Sequence, residues 1–199
     1  MTTRVRPKKV QVSKKRTIHT YSHLWHGSWV LMERSQAEQK GSYWLWMGSL
    51  IFTAFSFEAY LNHVGTKVFA CWNIFEKAVS PDGKLDILCE KLGIDLKKGE
   101  PPRQTVHKLF EFRNKLAHGR TVTLEPKQPP YDADENFEKI IEERPLTVWE
   151  EYCTAGNVLR ARADIKQIMQ LIHEKAMPEN DFLFDFGMYE VSGCLKEGS

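Results

Sequence analysis

Uncharged residues run unbroken from Gly41 to Phe57, and Leu50, Ala54, Phe57 and Leu61 carry an apolar helical stripe past the first charge, Glu58. That spacing predicts a long helix over about residues 35–64. The run approaches the roughly twenty apolar residues that a bilayer crossing needs. Gly41, Ser42, Gly48, Ser49, Thr53 and Ser56 dilute it, however, and the stripe outlasts it, so the segment reads as a helix buried in a bundle. Gly65 reads as a break, with a second helical stretch to about Val79 and a turn at Ser80-Pro81-Asp82-Gly83. Lys84 to Leu92 then has the pattern of a short amphipathic helix. After the loop Lys97 to Gln104, a helix is expected over about Gln104 to His118, closed by Gly119 in a left-handed cap. Thr147 and Glu150 have capping-box spacing, which starts a last long helix over Val148 to Lys175.

Between the last two helices the chain is polar and holds Pro126, Pro129, Pro130 and Pro145. It reads as a long excursion, with a strand at TVTLE (121–125) and a short helix around ENFEKIIEE (135–143); long loops of this kind are disproportionately functional. The tail from Met177 alternates aromatic and acidic residues without a period. No strand alternation is strong enough for a sheet, and no glycine-rich phosphate loop or internal repeat occurs. The expected fold is all-α, an up-and-down bundle of four to five helices with an irregular loop insertion and flexible termini. Residues 1–20 form a basic flexible arm, 21–176 the bundle and 177–199 a C-terminal tail.

Charge changes this picture at one end only. The formal net charge of the 199 residues is +2, yet Arg4, Arg6, Lys8, Lys9, Lys14, Lys15 and Arg16 precede the first acidic residue, Glu33. The arm thus carries +7 and the remainder −5 (2 minus 7). Such an arm is either a solvated tail or a phosphate-binding segment acting through counterion release. It has neither a secretory core nor the pattern of an amphipathic targeting helix, so a cytoplasmic protein without membrane contact is expected. The scattered Cys71, Cys89, Cys153 and Cys194 read as free thiols. His19, His23 and His26 have no cysteine or paired carboxylate beside them and read as a histidine-rich helix start or loop; no cofactor or metal is expected.

The candidate chemistry lies in FEFRNKLAHGR, Phe110 to Arg120. With about 100° per residue counted from Val106, Leu109, Phe110, Leu116 and Ala117 share one stripe, and Arg113 falls inside it near 340°. A guanidinium on a core face needs a carboxylate, a partner subunit or an anionic ligand. Glu58 is the carboxylate available for a purely structural salt bridge. Asn114 and His118, one turn apart on the edge of the face, border a groove in the other reading.

The string RNKLAHG resembles the signature of the HEPN superfamily of small helical-bundle domains, an Arg-Asn-x3-His motif on a late helix. SFEAYLN, Ser56 to Asn62, is similar to the early helix of that family, which often carries a glutamate followed four residues later by asparagine. The resemblance spans roughly Ala37 to Lys175; the stretch from Gly119 to Pro145 is longer than a minimal bundle requires. It implies a metal-independent endoribonuclease that cleaves single-stranded RNA by 2′-hydroxyl attack, a toxin or antiviral defence component. The motif places Arg113, Asn114 and His118 in catalysis, with Glu58 and Asn62 as structural support. A homodimer would bring two His118 and two Arg113 side chains into one cleft. The arm cations, together with Lys115 and Arg120, would contact RNA, and an antitoxin or nucleotidyltransferase-like protein would be a further partner. The alternative is a non-catalytic helical dimer that binds RNA, a nucleotide or a protein, because fold membership does not confer activity.

Overall fold

The computed structural model describes residues 9–125, 144–179 and 182–196. Among them the chain forms β1 (Lys9–Arg16), α1 (Thr20–Ala37), α2 (Ser42–Val68), α3 (Trp72–Ala78), α4 (Pro81–Leu92), α5 (Arg103–Ala117), α6 (Val148–Tyr152), α7 (Ala155–Ala176) and β2 (Tyr189–Lys196). The body is a helical bundle, as the pattern predicts. α2 is its hub and packs on α1, α3, α4, α5 and α7.

The stripe Leu50, Ala54, Phe57 and Leu61 is fully buried. The polar residues that dilute the uncharged run have a use of their own. Ser28 of α1 shares its hydroxyl with Thr53 at 2.6 Å, Ser49 donates to the Ser28 carbonyl at 2.9 Å, and Ser56 donates to the Tyr21 carbonyl at 2.7 Å. Small hydroxyl side chains thus join α1 to α2 with their hydrogen bonds satisfied, which is what burial of a polar group demands. No helix among the described residues is long and apolar enough to cross a membrane.

Several boundaries differ from expectation. The helix expected over about 35–64 is two: α1 ends at Ala37, and Gly41, at φ +82°, turns the chain left-handed into α2. Gly65 does not end α2. It lies within the helix, and a Cβ there would lie 2.0 Å from the Trp72 ring; the missing side chain is room for the indole. Asn62 accepts a hydrogen bond from Trp72 Nε1 at 3.4 Å, which fixes that indole over α2. The expected turn at Ser80 to Gly83 is the start of α4, with Ser80 Oγ accepting from the Gly83 amide at 3.2 Å and Pro81 in the first turn, where its missing N–H costs nothing.

The last long helix is also two. Thr154 caps α7 by accepting from the Asn157 amide at 3.2 Å, and Asn157 Nδ2 donates to the Tyr152 carbonyl at 2.8 Å, so two side chains take over the bonds of a continuous helix. Residues 121–125 form no strand, and the short helix expected over 135–143 lies outside the described residues. The two ends supply a sheet that the local pattern does not show. β1 and β2 pair antiparallel from Lys9 opposite Lys196 to Arg16 opposite Tyr189. The chain leading into β2 docks on α1 through Trp25 stacked on Phe184 at 4.9 Å and through Ser22 Oγ donating to the Asp185 carbonyl at 2.7 Å.

The histidines of α1 and α2 sit at that junction. His23 meets Phe186, and His19 lies 4.9 Å from the ring of His63, whose other neighbour is Tyr21 at 5.1 Å. Burial, and then electrostatic interaction with His19, Lys67 and His173, lower the His63 pKa from its ordinary 6.5 to about 4, with Asp185 acting the other way. The unfolded chain therefore takes up a proton that the folded chain refuses, and the His63 contribution to stability is lost as pH falls from about 6.5 towards about 4. Urea denaturation at neutral pH and near pH ~4.5 should show this loss, and His63→Phe should make it shallower.

Candidate functional site

α5 runs across the bundle with Val106, Leu109, Phe110 and Phe112 buried against α2 and α7. Its last turn opens outwards. Leu116 is half-buried, and Ala117, expected on the core stripe, is exposed. Gly119 does not provide the left-handed cap expected of it; His118 is the C-cap at φ −114° and ψ 24°, and its amide reaches back to the Asn114 carbonyl at 3.0 Å. The imidazole is consequently presented to solvent at the very end of a rigid element.

Arg113 answers the question its position raises. Its side chain is 19% exposed, and Nη2 donates to Glu58 Oε2 in a short contact. Lys84, with a side chain only 2% exposed, reaches Glu58 Oε1 at 3.4 Å. Each carboxylate oxygen thus serves one cation. The guanidinium lies over two rings, with its carbon 5.3 Å from the centre of Phe110 and 5.6 Å from that of Phe55. Nη1 donates to Asn114 Oδ1 at 3.0 Å, while Nε is buried without a hydrogen-bond partner. Two cations share one carboxylate, so the cluster holds one excess positive charge behind α5.

On the outer side of α5 lies an open groove of about 820 Å³. Phe110, Asn114, Lys115, His118 and Arg120 line it, and Trp149 of α6 forms part of the opposite wall. The structure therefore brings together Asn114, His118, Lys115 and Arg120. Arg113 is not among the lining residues; it meets the groove through Asn114, whose amide it holds. Lys14, Lys15 and Arg16 are exposed on β1, away from the groove lining, Lys9 opens that strand, and Arg4, Arg6 and Lys8 lie outside the described residues.

Sequence reasoning did not find Lys84, although it stands one turn before Leu88 on the buried face of α4, a position at which any cation must be paired. It also did not find Trp149, which in the linear pattern is one more apolar residue of a long helix. Among the described residues no three histidine, cysteine or acidic side chains gather at metal-binding distance. No family model, no curated protein and no solved structure matches the chain.

Proposed function

We propose that the protein is a metal-independent endoribonuclease of HEPN type that cleaves single-stranded RNA in the cytoplasm as a homodimer, in a toxin–antitoxin or antiviral setting. What carries the reading is the exposed imidazole of His118 at the end of α5, in a groove with Asn114, Lys115 and Arg120 and with the positively charged cluster behind it. Histidine titrates near neutrality and can take the proton of a 2′-hydroxyl or give one to the leaving 5′-oxygen. One chain offers one such histidine, and a two-fold partner would supply the second role. Lys115 and Arg120 would neutralise phosphate, and the arm with Lys14, Lys15 and Arg16 would add salt-sensitive affinity. Arg113 acts here as a positioning residue. It fixes the Asn114 amide and places charge near the developing phosphorane.

Products distinguish this reading. Incubation of single-stranded RNA with the protein in excess chelator should leave a 2′,3′-cyclic phosphate, or its opened form, and a 5′-hydroxyl. Activity that disappears with chelator and returns with a divalent cation would overturn the mechanism. The second reading, a non-catalytic dimer that binds RNA, nucleotide or protein, is favoured by the engagement of the Arg113 guanidinium with Glu58 rather than with the groove. Binding without cleavage would select it. An antitoxin or a nucleotidyltransferase-like partner belongs to either reading.

A further inference from the structure

Behind Trp149 lies a second concavity of about 350 Å³, between α5 and the α6–α7 corner. It shares Glu111, Lys115, Val148 and Trp149 with the groove at His118, so the two hollows meet at Lys115 and Trp149. Phe112 and Tyr152 supply its aromatic lining, with ring centres 5.4 Å apart. Lys108 and Arg160 also line it; both are exposed, and neither enters an ion pair among the described residues. Lys115 pairs with Glu111 at 2.8 Å one turn back along α5, Glu151 also lines the hollow, and Gln104 and Asn157 offer amide groups.

α6 adds a second, independent observation. None of its five residues is fully buried; Trp149 and Tyr152 lean on the core with part of each ring left open, and the helix is held firmly. The Thr147 amide donates to Glu150 Oε2 at 2.8 Å and the Glu150 amide to Thr147 Oγ1 at 3.3 Å, a complete capping box. Asn157 fixes its other end through the Tyr152 carbonyl. A short helix fastened at both ends, with an indole and a phenol on the same hollow, is a rigid aromatic platform. Flat rings flanked by unpaired cations match an unstacked base followed by its phosphate.

We infer that this hollow is a base-binding subsite for the single-stranded RNA. One base stacks on Trp149 within the α5–α6–α7 hollow, its phosphate lies by Lys108 and Arg160, and the strand passes over Lys115 into the groove at His118. The inference rests on the ribonuclease reading for the identity of the strand, and on the hollow itself for the placement of the base. It makes the protein selective for unpaired RNA, because a base held in a duplex cannot enter a pocket walled by an indole.

The test separates binding from cleavage by using a short 2′-O-methyl RNA strand, which lacks the attacking hydroxyl, in fluorescence anisotropy at low salt. Trp149→Ala should weaken binding by about tenfold or more, the loss expected for one stacked base, while Trp149→Phe retains most of it. The double variant Lys108→Ala, Arg160→Ala should bind several-fold more weakly and with a shallower salt dependence. A strand with one abasic position should lose affinity for the parent protein but not for Trp149→Ala. Circular dichroism confirms that each variant is folded, and the lysine–arginine variant, altered only at exposed side chains, serves if Trp149→Ala is not. Parent-like binding by that variant, or an abasic penalty that persists without the indole, overturns the subsite. A parent that cleaves unmodified RNA with no dependence on these residues sinks the subsite alone; one that binds with these dependences but never cleaves sinks the ribonuclease reading and leaves the subsite standing.

Discussion

His118→Ala should slow RNA cleavage by about 10²- to 10⁴-fold, the usual contribution of a general acid or base, with helix content and oligomeric state unchanged. The expectation of an intact fold comes from the position of the residue. His118 is exposed at the end of α5 and its side chain carries no core contact, so its removal leaves the bundle as it was. Structure and chemistry are therefore separable at this site to a degree that they are not at Arg113. In the proposed two-fold dimer the single composite cleft would draw on two copies of the imidazole, and the variant would lose both. Mixing an excess of His118→Ala chains with the parent should then suppress the parent's activity. A rate equal to the parent's would remove His118 from the mechanism.

Glu58→Ala should have the largest effect on stability, about 1–3 kcal/mol, between the small loss for an exposed ion pair and the roughly 3–5 kcal/mol for a fully buried one, because Glu58 is 28% and Arg113 19% exposed. The magnitude follows from what is left behind. Lys84, 2% exposed, and Arg113, 19% exposed, would face each other across the vacated space without a carboxylate. Removing the lysine as well, as Glu58→Leu with Lys84→Met, should recover much of the loss, because well-packed apolar groups commonly replace a buried pair without penalty. Urea denaturation of the single and double variants measures both quantities. If Glu58→Ala is as stable as the parent, the cluster is solvated in solution and the charge behind α5 is not the fixed feature described above.

The uneven legibility of the chain has physical causes. Leu50, Ala54, Phe57 and Leu61 could be read as core because a helix with a three-to-four-residue apolar period has only one way to bury it. The break before α2 could not, because it depends on the left-handed conformation of Gly41, and Glu38, Gln39 and Lys40 before it are good helix formers that carry no mark of a helix end. Two N-caps stand seven residues apart, Thr147 on α6 and Thr154 on α7, and the pattern reveals the first through its capping box; the second, with Asn157, looks like helix interior until its hydrogen bonds are seen. At the site, the Arg113–Glu58 contact was legible because both charges fall on apolar stripes of their own helices. The groove was not, since it arises where the chain around Val122 to Leu124 and the start of α6 come together beside α5, and no local pattern encodes how separate segments meet.

The ribbon formed by β1 and β2 has a bearing on how the protein is made. β1 emerges from the ribosome before the helices of the bundle, and the segment that completes its hydrogen bonds, Tyr189–Lys196, emerges after them. At about 5–20 residues per second, the strand waits roughly ten seconds or more with an open edge on both sides, the state in which strands recruit one another. Lys14, Lys15 and Arg16 give nascent copies on neighbouring ribosomes like charge, and a strand so guarded stays single until its own partner arrives. The basic composition of the first strand thus acts on the unfinished chain, before β2 exists to pair with it.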